Sequence, residues 1–146
     1  MDLAWQARIE ELEAREQIKE LPAKYVWASA RADVPAMMDL FTDDAVFEPP
    51  NPAGRVEYKG KAAIRGALEQ SVTKPGGILA LIHNHTVEVA GDTATGACVM
   101  YNPIFPKEHG VFVGYYHDAF RRENGTWLYT ARRFYTYSPV LDLSGG

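Results

Sequence analysis

From Leu3 to about Ala32 the apolar positions Ile9, Leu12, Ile18, Leu21, Tyr25 and Ala28 recur at three- and four-residue steps, the period of a helix. Pro22 interrupts this stretch. It either kinks one helix or opens a second, because proline has no backbone N–H to give. Asp33 suits the N-cap of a short helix through Pro35, Met37, Met38, Leu40 and Phe41. The triplet Thr42 to Asp44 reads as a turn into a strand, AVFEPP, and Lys61 to about Val72 as another helix with Ile64 and Leu68 inward. After TKPGG the period changes to two. Leu79 to Ala90 and Thr93 to Asn102 read as strands joined at Gly91-Asp92. Past the loop PIFPKEHG, Val111 to Arg122 and Thr126 to Tyr137 pair across the turn ENG. Helices first and an antiparallel meander afterwards imply an α+β fold, with helices on one side of a curved sheet and a pocket between them.

The 146 residues suffice for a single domain, residues 1–146, and no repeat or linker divides them. A net charge of −4 argues against a nucleic-acid partner, which selects a basic face. No apolar run approaches membrane-spanning length, and the opening MDLAWQARIEELEAREQ is charged where a secretory leader would be apolar. A soluble cytoplasmic protein is the expectation. The lone Cys98 excludes an internal disulfide framework and a cysteine-rich zinc site. Eight tyrosines are enough to line a cavity as well as fill a core.

Strict alternation places His83 and His85 on one face with Val87 and Val89, hence inward, where an imidazole can serve as a general base or simply bond a buried neighbour. Gly77 followed by five residues and H-x-H resembles the opening of a cupin metal motif, but no correctly spaced third ligand follows, so no metal is expected. Tyr25 lies on the inner helical stripe, able to protonate or polarise an oxygen or to fill the core with a tethered hydroxyl. One of Arg132 and Arg133 must face inward, and it needs Asp118, Glu48 or a substrate oxygen as partner. Tyr101 and Asn102, at a strand end, are candidate pocket contacts, and Trp27 and Phe47 candidate apolar walls.

The segments IKELPAKYVWASARADVPAMMDLFTDDAVFE, YKGKAAIRGAL, HTVEVAGDTATG and HDAFRRENGTWLYTARRF together resemble the SnoaL-like branch of the NTF2-like superfamily, over nearly the whole chain. The resemblance implies a cone-shaped barrel, a curved antiparallel sheet with helices on its concave side. It further implies chemistry of the kind found in scytalone dehydratase, bile-acid dehydratase, hexachlorocyclohexane dehydrochlorinase, polyketide cyclases and a formaldehyde-releasing lyase, mostly without a cofactor. By position, Tyr25 matches the dehydratase tyrosine, and Arg132, five residues after Trp127, matches the dehydrochlorinase arginine. Ala30 stands where the family places the aspartate of its Asp–His dyad. The histidine itself aligns near Ile82, beside His83, and an acidic pocket residue aligns with Asn102.

Two functions follow as expectations. One is a cofactor-independent lyase or isomerase performing elimination, dehydration or retro-aldol formaldehyde release on a small hydrophobic, aromatic or polycyclic substrate. There His83 or His85 moves the proton, Tyr25 is the acid and Arg132 holds negative charge. The other is a non-catalytic ligand-binding or dimerisation module on the same fold. The outer sheet surface, with Tyr115, Tyr116, Phe134 and Tyr135 in adjacent strands, is expected to pair with a second copy as a homodimer, a trimer being the alternative.

Overall fold

The structure, a computed structural model, describes residues 2–51, 54–77, 79–102 and 112–136. Helix α1 (Leu3–Ala30) runs unbroken through Pro22, so the proline neither ends the helix nor starts a new one. Asp2 caps its first turn, and its buried stripe is Ala14, Ile18, Leu21, Tyr25 and Ala28. Arg15 donates from Nη1 to the Val87 carbonyl and ties the helix across the sheet. Asp33 caps α2 (Val34–Met38) by accepting from the Ala36 N–H. Strand β1 (Phe41–Glu48) then takes in the Thr42–Asp44 triplet that the sequence suggested as a turn. The register along β1 shifts between Phe41 and Val46, so the polar triplet is accommodated as an irregularity inside the strand. Strand β2 (Tyr58–Lys59) and α3 (Lys61–Ser71) follow, with Ile64 and Leu68 buried.

The meander is β3 (Leu81–Ala90), β4 (Thr93–Asn102), β5 (Phe112–Glu123) and β6 (Thr126–Thr136). Gly91 (φ 62°) turns β3 into β4. Asn124 and Gly125, at φ 50° and 79°, make the β5–β6 turn with two successive left-handed residues, the pattern of a type I′ hairpin. The expected loop at residues 103–110, Val111 and Tyr137 lie outside the described residues. The sheet runs β2-β1-β6-β5-β4-β3, and β1 lies parallel to β6, a pairing that the hydrophobic pattern does not encode. No helix among the described residues is long and apolar enough to cross a membrane.

The concave face carries two buried clusters. The larger joins α1, α2 and α3 to Phe41, Phe47, Val87, Phe120, Trp127 and Tyr129; the smaller comprises Cys98, Met100, Tyr116 and Phe134, with Ala80 and Ile82 against it. Gly114 belongs beside the smaller cluster because a side chain there has no room. A Cβ would overlap both the Phe134 ring and the Tyr135 backbone carbonyl. Gly114→Ala is therefore expected to lower stability by roughly 2–4 kcal/mol, in the range of severe core overpacking. A urea midpoint equal to wild type would contradict this.

Candidate ligand cavity and its buried ion pair

A cavity of about 210 Å³ lies between α1, α3 and the sheet, bounded by members of both clusters. Its walls are largely apolar, including Phe47, Leu68, Val72, Ala80 and Met100. Its polar groups are Tyr25, Ser29, Ser71, Asn102 and Tyr116. Burial pushes the Tyr25 phenol well above its ordinary range and the Tyr116 phenol up to about 12. Both therefore remain protonated donors at neutral pH.

Behind these phenols sits a charge pair cut off from water. Arg132 and Asp118 face each other across β5 and β6, both side chains 0% exposed, with Nη1 donating to Asp118 Oδ2 at 3.0 Å. The same Nη1 donates to the Tyr129 hydroxyl. The guanidinium carbon lies 3.6 Å from the Tyr116 ring centroid, 4.7 Å from Tyr25 and 4.8 Å from Tyr129, so three aromatic faces surround the cation. Arg132 Nε and Nη2 and Asp118 Oδ1 are buried with no hydrogen-bond partner. Burial raises the Asp118 carboxyl to about 7, outweighing the pull of Arg132 in the opposite direction. Because the folded protein then holds this proton where the unfolded chain has released it, the group's contribution to stability falls as pH rises from about 4 to 7. A ¹³C NMR titration of the Asp118 carboxyl should show a midpoint near 7, whereas a midpoint in the ordinary carboxylate range would contradict the dry environment.

The histidines separate, contrary to the expected shared face. Between His83, opposite Val99, and Thr86, opposite Ala97, β3 carries an extra residue, with Asn84 left-handed at φ 51°. This bulge reverses the alternation. Ile82 upstream and His85 downstream turn inward, and His83 is exposed on the outer face. His85 packs under α1 against Gly96, where Nε2 lies 3.4 Å from the place a Cβ would take. Its Nε2 is buried and unpartnered, and its pKa is lowered by burial and then by Arg132 and Lys19, so it is a neutral imidazole. His85 is not among the residues that line the cavity.

Of the other expected site residues, Tyr25, Phe47 and Asn102 line the cavity. Arg132 is the inward arginine of its pair, while Arg133 faces out to Glu48 and Glu57 at 3.4 and 3.5 Å. Trp27 does not form a wall: it is 62% exposed on the far side of α1. Tyr101 alternates with buried Met100 and Asn102 and so lies on the outer sheet face, away from the cavity. Tyr116 and Phe134 are likewise moved from the expected outer patch to the interior, which leaves Tyr115 and Tyr135 outside, stacked at 5.2 Å. The inward placement of Tyr116 was missed at the sequence level. The signal was available, since an inward Arg132 needs Asp118, and Tyr116 shares the parity of Asp118. Among the described residues no three His, Cys, Asp or Glu side chains are grouped as a metal site.

No curated protein matches this chain. Solved structures do. An NTF2-like protein with a cystatin-like fold from Novosphingobium aromaticivorans is 27% identical with a TM-score of 0.81, over 96% of this chain and 93% of its own. From the same organism, a protein provisionally named an aromatic ring hydroxylase is 26% identical, with a TM-score of 0.75 over 88% and 92%. Another, provisionally named a scytalone dehydratase, shares the fold at 19% identity, with a TM-score of 0.73 over 90% and 88%. The SnoaL-like domain model matches residues 10–133, from α1 into β6, and the chain belongs to this SnoaL-like family of the NTF2-like superfamily.

Proposed function

We propose that this chain is a cofactor-independent lyase or isomerase acting on a small hydrophobic, aromatic or polycyclic molecule whose oxygen gains negative charge during the reaction. The observation that supports this most is the pairing of a mostly apolar cavity with two protonated phenols, Tyr25 and Tyr116, both against the buried Arg132 cation. Donors fixed in a dry site stabilise a developing enolate or phenolate far better than water does, because they need no reorganisation. The guanidinium, too far back to line the cavity, adds a positive field behind them. The aromatic ring named in the 26% identical neighbour fits the same ligand class.

Neither an imidazole nor a carboxylate lines the cavity among the described residues, so the chemistry it supports is donation to a substrate oxygen rather than proton abstraction by the chain. That same fact, with Ala30 and Ile82 at the positions of the family dyad, favours a second reading, a binding pocket without turnover. Incubating the protein with aromatic diols, hydroxy-ketones and hydroxy-steroids, with no added cofactor, separates the two. Product formation that is lost in Tyr25→Phe supports the enzyme. Tight binding with no product across the panel supports the carrier.

A further inference from the structure

Every residue of α1 from Leu3 to Glu13 is exposed, including Leu3 (80%), Trp5 (59%), Ile9 (42%) and Leu12 (65%). Three exposed turns of helix draw little stability from packing on the rest of their chain, and Trp5 is met by Arg8 of the same helix, 5.3 Å from its ring centroid. The apolar residues are also ordered. Trp5, Ile9, Leu12, Glu16, Lys19, Ala23, Val26 and Ala30 follow one another at alternating four- and three-residue steps, the seam of a coiled coil. From Trp5 to Ala23 this seam is exposed and lies on the side of the helix away from the buried stripe of Ala14, Ile18, Leu21 and Tyr25; Val26 and Ala30 at its C-terminal end are half-buried, and exposed Trp27 flanks it.

The composition of the seam selects its occupant. Its N-terminal half holds the bulky members and its C-terminal half the small ones. At its centre stand one acid, Glu16, and one base, Lys19, and no ion pair engages either among the described residues. An identical helix laid antiparallel, with the two-fold axis midway between residues 16 and 19, sets Glu16 against Lys19 of the second copy and Lys19 against its Glu16. The flanking layers become Leu12 on Ala23, Ile9 on Val26 and Trp5 on Ala30, each large residue meeting a smaller one. A parallel pair would instead put Glu16 on Glu16 and Lys19 on Lys19, and would align the helix dipoles unfavourably.

We propose that the outer face of α1 is the surface through which two copies of this chain associate, antiparallel about the Glu16–Lys19 layer. The proposal relocates self-association from the outer sheet face, where the stacked Tyr115 and Tyr135 already half-bury each other, to the helix. It stands independently of the catalytic reading. It also bears on the cavity, because Val26 lines it, and pairing brings Ile9 of the second copy to that rim.

Sedimentation velocity on the full chain at micromolar concentrations tests this with a charge-swap cycle. Wild type should be dimeric, and Glu16→Lys and Lys19→Glu should each weaken association at least tenfold. The combined Glu16→Lys/Lys19→Glu protein should recover most of it, because the opposed charges are restored with the signs exchanged. Far-UV circular dichroism reports whether each variant is folded, and Trp5→Ser, at an exposed position, provides an independent loss of association. A monomeric wild type would overturn the proposal. So would single variants that associate like wild type, a swap that fails to restore pairing, or dissociation by Tyr135→Arg alone, which would return the interface to the sheet.

Discussion

Asp118→Leu should destabilise the protein by about 3–5 kcal/mol, and Arg132→Met by clearly less, although the two residues form one pair. The asymmetry follows from proton chemistry. Removing the carboxylate strands a guanidinium that cannot shed its charge in a site with no water contact. Removing the guanidinium strands a carboxyl that is already raised to about 7 and can neutralise by taking a proton. The deficit of Arg132→Met should accordingly shrink from pH 8 to pH 5, while that of Asp118→Leu should not. The double variant Asp118→Leu/Arg132→Met should regain most of the lost stability, as expected when a buried ion pair gives way to apolar side chains. Urea denaturation of the four proteins at both pH values checks the pattern. Equal losses in the two single variants, or no recovery in the double, would contradict it. The double variant has a second use: it should fold well and still bind anionic oxygens poorly, because the positive field behind the phenols is gone.

Tyr25→Phe should reduce turnover by about a hundred- to a thousandfold, the usual effect of deleting one donor to a developing oxyanion. Tyr116→Phe should also reduce turnover, because it deletes the second phenol that lines the cavity. The loss should fall on kcat rather than KM, since the apolar walls that bind the substrate are untouched. Substituted phenols provide a reading that needs no known substrate. Affinity in wild type should rise with the acidity of the phenol, as negative charge accumulates on the bound oxygen, and this dependence should flatten in Tyr25→Phe. A flat series in wild type would leave the cavity as an apolar hole without electrophilic function.

Much of the fold could be read from periodicity, because both periods are long and cleanly punctuated. The buried stripe of α1, the Asp33 cap, the inner face of α3 and the two hairpin turns are local consequences of residue type. What periodicity cannot contain is non-local. The parallel contact of β1 with β6 depends on the whole chain, and a bulge in β3 shifts every side chain upstream of it to the other face. That one inserted residue turned His83 out to solvent. The inward position of Arg132 with Asp118 was open to inference, since a buried cation requires an anion and the two residues sit opposite in adjacent strands. Trp27 and Tyr101 misled for a simpler reason: large aromatic side chains suggest a wall, but each lies on the exposed phase of its element.

The function proposed here requires a small aromatic oxygen compound to bind in the space between the two core clusters, over Tyr25 and Tyr116. A crystal structure of the protein soaked with 2-naphthol addresses it most directly. The ring should lie among Phe47, Leu68 and Met100, with its oxygen within hydrogen-bonding distance of the Tyr25 hydroxyl. An occupied site elsewhere with this cavity closed by its own side chains would contradict the claim.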